Sequence, residues 1–230
     1  MRSLSLYRMS GQCLMYAGLL WAVSLVIEPP GPAATLAEVT SRLGVRWTVS
    51  GLLGILAVVL ATVAIIGVYR HFQDGEQEGW ALVSLSANVA ALVAGLVGGI
   101  FWTLGLPMLV SFANGAPEPA TYEPARAAIL AVTIGAHTVS SALLWLSLLP
   151  LTIAMLRDRV WPRAIAWSAL VCGIVEAGGP FVLRGNTTAR HLLMLLGFAF
   201  LVVLGGTIAR LGRAPKEVAT APPAETSAGA

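Results

Sequence analysis

The sequence predicts an all-α protein: a bundle of six membrane-spanning helices with both termini in the cytoplasm. Three observations carry this. Of the 230 residues 57% are hydrophobic and only 11% charged, whereas a soluble domain carries about a quarter charged. Six apolar runs are each long enough to cross a hydrocarbon core of ~30 Å, which takes about 20 helical residues. The basic residues collect on alternate loops, as the positive-inside rule requires.

Residues 1–10 form a short cytoplasmic N-terminus, 11–212 the six-helix domain, and 213–230 the tail. The first run, 11–27, ends at Pro29-Pro30. Arg2 and Arg8, an apolar core and the small-residue site Thr35-Leu-Ala37 also fit a cleavable signal peptide. A short surface helix is expected over Thr35–Leu43. The second run, 49–69, carries Gly54, Ala57, Ala61 and Ala64 at helical spacing. The third, 80–106, is ended by Pro107 and followed by the linker 111–126, whose three prolines predict an irregular outer loop. The fourth, 127–156, contains Pro150, which should kink it. The fifth and sixth are 164–183 and 191–209. The Ala-, Pro-, Thr- and Glu-rich tail after Arg213 should be a disordered cytoplasmic segment.

With the N-terminus inside, the inner segments hold Arg2, Arg8, Arg70, Arg157, Arg159, Arg163, Arg210, Arg213 and Lys216, nine of the 14 basic residues. The outer loops hold Arg42, Arg46, Arg126, Arg184 and Arg190, the other five. Trp47, Trp80 and Trp161 fall at run ends, where indoles favour the headgroup region. The His71, Asp74, Glu76, Glu78 group reads as a solvated cytoplasmic turn. Arginines scattered between apolar runs make no stripe for a nucleic acid.

The stretch "YAGLLWAVSLVIEPPGP", the pair of helices in "GLLGILAVVLATVAIIGVYRHFQDGEQEGWALVSLSANVAA", and the turn inside "LWLSLLPLTIAMLRDRVWPRAIAWSALVCGI" cover most of residues 11–175. Together they resemble a bacterial six-helix integral membrane family catalogued only as a domain of unknown function. The resemblance implies a fold and a bacterial cell-membrane location. It implies no activity.

Ala87, Ala91, Gly95 and Gly99 repeat every fourth residue on helix three, the spacing that lets membrane helices approach closely. The same face is one on which a second copy or a membrane partner could dock. Asn88 on that helix is expected to hydrogen-bond across to a neighbour. On helix four, Thr133, His137, Ser140, Leu144 and Ser147 share one face, and Ser168, Cys172 and Glu176 share one on helix five.

At a rise of ~1.5 Å per residue, His137 lies roughly 15 Å below the outer start of its helix and Glu176 roughly 18 Å above the inner start of its own. Both fall near the midplane. Antiparallel neighbours could bring them together, and Gly178-Gly179-Pro180 would interrupt the helix just beyond Glu176.

A carboxylate inside a bilayer costs ~2.5–3.5 kcal/mol on the insertion scale and marks a functional site. Glu176 is therefore the proton or cation acceptor of a polar pocket for a small ligand, built with His137, Ser140, Ser141 and Cys172. Tyr16, Trp102 and Glu28 stand ready to join it. The competing placement puts Glu176 at the outer interface near Arg184.

On these residues the chain reads as a non-enzymatic transport component or sensor. A membrane-embedded isomerase or cyclase acting on a lipid-like substrate, with Glu176 and His137 as its catalytic pair, is the second class. A structural subunit of a membrane complex is the third. Phosphate loops, zinc-protease and nucleophile-elbow motifs are absent, and the two cysteines, Cys13 and Cys172, have no metal-ligand spacing. No cofactor or metal is expected.

Overall fold

The computed structural model describes residues 2–27, 44–183 and 186–211. Its elements are α1 (Arg2–Ile27), α2 (Gly44–Phe72), α3 (Glu78–Ile100), a π-helical turn (Phe101–Gly105) and α4 (Leu106–Asn114). A 3-10 turn (Pro119–Tyr122) then leads to α5 (Glu123–Arg157), α6 (Arg163–Val182) and α7 (Thr187–Leu211). No strand occurs among the described residues. The expected surface helix at 35–43, Glu28, Arg184 and the tail lie outside them.

Five helical stretches are long and apolar enough to cross a membrane: Ser5–Ile27, Val45–Phe72, Glu78–Asn114, Ala120–Arg157 and Thr188–Leu211. The helix over the run 164–183, α6, is not one of these five. It has 20 residues and carries Glu176.

The helices form a ring in which α1 packs on α2, α2 on α3, α3 on α5, α5 on α6, and α7 closes back on α1. Small residues set these approaches. A Cβ added to Gly205 would fall 2.6 Å from the Gly11 carbonyl oxygen and 2.7 Å from the Met15 nitrogen, so α1 and α7 meet backbone to backbone. Across α1 and α2, Ser24 Oγ and Ser50 Oγ lie 3.1 Å apart, and each hydroxyl also donates to the other residue's carbonyl.

The α3 ladder is spent inside the chain. Ala91, Gly95 and Gly99 are buried and Ala87 is half-buried. Added Cβ atoms on Gly95 would meet Ser140 Oγ at 2.8 Å and Val58 at 3.3 Å, and one on Gly99 would run into Ile55. Gly95 and Gly99 thus pack against α2 and α5.

Several helix ends lie further out than the breaker residues predict. Residues 2–10 are helical, and Ser10 is fully buried beside Gly67. Pro107 does not stop helix three. It falls in the first turn of α4, just after the π turn, where a missing N–H is tolerated. Residues 111–114 and 123–126 of the expected loop are helical. Gly178-Gly179-Pro180 does not interrupt α6, which runs on to Val182. In a membrane the backbone has no competing partner for its polar groups, so helix is the default even for poor formers.

Two of the three run-end tryptophans are buried. Trp47 packs on Trp102 with ring centroids 4.2 Å apart, and Trp161 lies among Tyr7, His71 and Phe72. Only Trp80 is exposed, with the Arg157 guanidinium 6.0 Å from its ring centre.

Candidate intramembrane site

Ser168, Cys172 and Glu176 follow one another every fourth residue, so α6 presents them as a single stripe beside its seam with α7. That seam is the loosest joint in the ring. Into it opens a groove of about 470 Å³, lined by Trp167, Ser168, Val171, Cys172, Val175, Glu176, Leu193, Leu196 and Phe200. Apart from the serine, the thiol and the carboxylate, its walls are hydrocarbon and aromatic.

Glu176 itself is 2% exposed. Its side chain is packed away from solvent. Its carboxyl group occupies the space that a side chain at position 197 would fill: a Cβ built on Gly197 would come 2.6 Å from Glu176 Cδ and 2.7 Å from Oε1. The indole of Trp145, from α5, closes the same spot, with Cζ2 at 2.8 Å from that Cβ. The other oxygen, Oε2, is buried and meets no hydrogen-bond partner among the described residues. Pro180, four residues on, has no N–H to give the Glu176 carbonyl. No arginine, lysine or histidine forms an ion pair with the carboxylate among the described residues.

The structure brings together Cys172 and Glu176 and leaves the other candidates elsewhere. His137 makes no ion pair or hydrogen bond with Glu176. It turns instead toward α3, 3.2 Å from where a Gly98 Cβ would stand and edge-on to Trp102 at 6.3 Å, with part of the ring exposed. Ser140 donates to the Ala91 carbonyl at 2.7 Å and so fastens α5 to α3. Ser141, its neighbour, is half-buried. Tyr16 faces outward at 57% exposure, and Trp102 belongs to the Trp47 cluster. Thr133, Ser140, Leu144 and Ser147 do form a buried face of α5, as their spacing requires.

Asn88 departs from its expected role. Both amide atoms are buried, and among the described residues neither meets a partner, nor does Ser84 Oγ one turn before it.

A second constellation was not legible in the sequence. His71 Nε2 and Asp158 Oδ2 lie 2.5 Å apart, joining the end of α2 to the turn between α5 and α6. Tyr7 packs on the same imidazole at 5.2 Å between centroids. The expected solvated turn is thus half a packing hub. Its other half is local: Tyr69 Oη donates to Glu78 Oε1 at 2.9 Å and the Asp74 N–H to Glu78 Oε2 at 3.1 Å, with Asp74 at φ 66°.

Among the described residues no group of three His, Cys, Asp or Glu side chains could hold a metal ion. Both cysteines are free thiols.

A family described as Domain of unknown function (DUF4386) matches residues 12–211 of the chain. No curated protein and no solved structure matches it.

Proposed function

We propose, since the chain belongs to the family described as Domain of unknown function (DUF4386), that it is a non-enzymatic multi-pass protein of a bacterial cell membrane whose work is done at Glu176. The site takes a small ligand or a proton within the bilayer, as part of a transport or sensing process. One observation carries this reading: a 2%-exposed carboxyl, with one oxygen lacking a partner among the described residues, sits on an otherwise apolar groove. Isolating an ionisable group in this way is costly in lipid and marks function rather than packing.

Six spans with both termini cytoplasmic complete the reading. In support, α6 lies lengthwise against its neighbours: Gly173 abuts the Trp145 carbonyl on α5, and Gly179 abuts Leu193 on α7. A helix held so between two candidate spans crosses with them. The excess of basic residues on the inner segments then sets the orientation.

Fusions of a fluorescent and a phosphatase reporter after Arg157 and after Val182 test the topology. Both fusions reporting the same side would mean that α6 does not cross, and would overturn the six-span reading. The site is tested by replacing the gene with Glu176→Gln. The variant should accumulate and melt like the wild type yet fail to restore the phenotype of a deletion strain. Full restoration by both Glu176→Gln and His137→Ala would end the pocket reading.

A further inference from the structure

We propose that the α6–α7 groove binds a cationic amphiphile, a molecule with one protonated amine head and an elongated apolar body, which slides in sideways from the lipid and docks its head on Glu176. This deepens the reading of Glu176 as a ligand acceptor and rests on it.

The shape argues for an elongated guest. From Trp167 to Glu176 the groove follows α6 for nine residues, roughly 13 Å. A turn or more of both helices continues beyond each of its ends. Neither aqueous face therefore opens directly onto it. Its rim residues Trp167, Val171, Val175 and Leu196 are all exposed, and in a bilayer an exposed apolar flank of this kind meets lipid. The volume, about 470 Å³, lies inside the range of ~300–1,000 Å³ usual for small-molecule sites.

Charge argues for the head. Glu176 is the one carboxyl lining the groove, and no Arg, Lys or His lines it. A carboxylate there gains most from a partner bearing both positive charge and hydrogen-bond donors, which an ammonium group supplies. An anionic head would meet like charge. A hydroxyl head would satisfy one lone pair and leave the charge unpaired. The apolar body of the guest then lies along Val171, Leu196 and Phe200, and its head reaches the buried carboxyl by parting the loose α6–α7 seam at Gly197.

The probe is a clickable, diazirine-bearing dodecylamine, photolysed with the full chain in nanodiscs of phosphatidylcholine alone. Labelling should map by mass spectrometry to residues 167–176 or 193–200. Unlabelled dodecylamine should compete at least tenfold better than dodecanol. Glu176→Gln should weaken labelling at least tenfold with an unchanged melting temperature. Val171→Trp, which crowds the groove and spares the carboxyl, should do likewise.

Cys172 gives a second readout in a Cys13→Ala background: a lipid-soluble maleimide should react, a sulfonated maleimide should not, and dodecylamine should protect. Labelling spread over the whole ring, equal competition by dodecanol, indifference to both substitutions, or faster reaction with the sulfonated reagent would each overturn the proposal. If these fail while Glu176→Gln still loses complementation, the site stands and its occupant is a different one. If complementation also survives, the site reading falls with it.

Discussion

The carboxyl of Glu176 on α6 and the bare backbone of Gly197 on α7 share one space: a Cβ at position 197 would stand 2.6 Å from Glu176 Cδ. The acid is buried because its neighbour has no side chain. Gly197→Ala should therefore evict the carboxyl or part the helices, at about 1–3 kcal/mol. Gly206→Ala, whose Cβ would find only Met15 Sδ at 3.9 Å, should be neutral. Thermal melting in detergent compares the two, and equal midpoints would contradict the contact.

The α1–α7 contact is less forgiving, because main chain faces main chain. Gly205→Ala would press on the Gly11 carbonyl and the Met15 nitrogen, neither of which is the tip of a flexible side chain. We expect folded protein to be lost on fluorescence-detected size exclusion. Gly54→Ala, with only Ser24 Oγ at 3.9 Å, should elute as the wild type does.

Ser140 and Gly95 test how α3 holds α5. Removing the Ser140 hydroxyl deletes one interhelical hydrogen bond to Ala91, worth ~0.6 kcal/mol on average within membranes. Gly95→Leu drives a side chain into Ser140 and Val58 and should cost several times that. Unfolding in mixed micelles should rank the two variants in that order.

At the other end of the bundle, His71 and Asp158 are 23% and 20% exposed, too sheltered to behave as a surface pair. A double-mutant cycle with His71→Ala and Asp158→Ala should return a coupling of about 1.5–3 kcal/mol, the scale of hydrogen bonds to charged groups. Glu76→Ala, on the exposed side of the same turn, should stay within about ±0.5 kcal/mol. A coupling near zero would make the pair incidental.

The helices could be read from the sequence because apolar length alone dictates them, and all six runs coincide with helix. Their ends were harder. Pro107 and the Gly178-Gly179-Pro180 triplet look like stops by rules learned in water, where a freed backbone group finds solvent. Glu176 was legible as the residue to watch, since one acid among hydrocarbon is conspicuous. Its partner was not.

Counting residues gives height along a helix axis and says little of rotation about it. His137 turns toward Gly98 and Trp102, while Glu176 turns toward Gly197. Ser140 shows the same limit: a hydroxyl on a polar stripe can serve a pocket or a neighbouring carbonyl, and only the packing decides. The His71–Asp158 contact joins residues 87 apart in sequence. Nothing local to either residue announces it.

The closure of α7 onto α1 bears on how the protein is made. The first helix leaves the ribosome long before the last, so the bare strip around Gly11 and Gly18 stays uncovered until its mate arrives. An unfinished chain therefore leaves uncovered the main chain that the completed ring conceals.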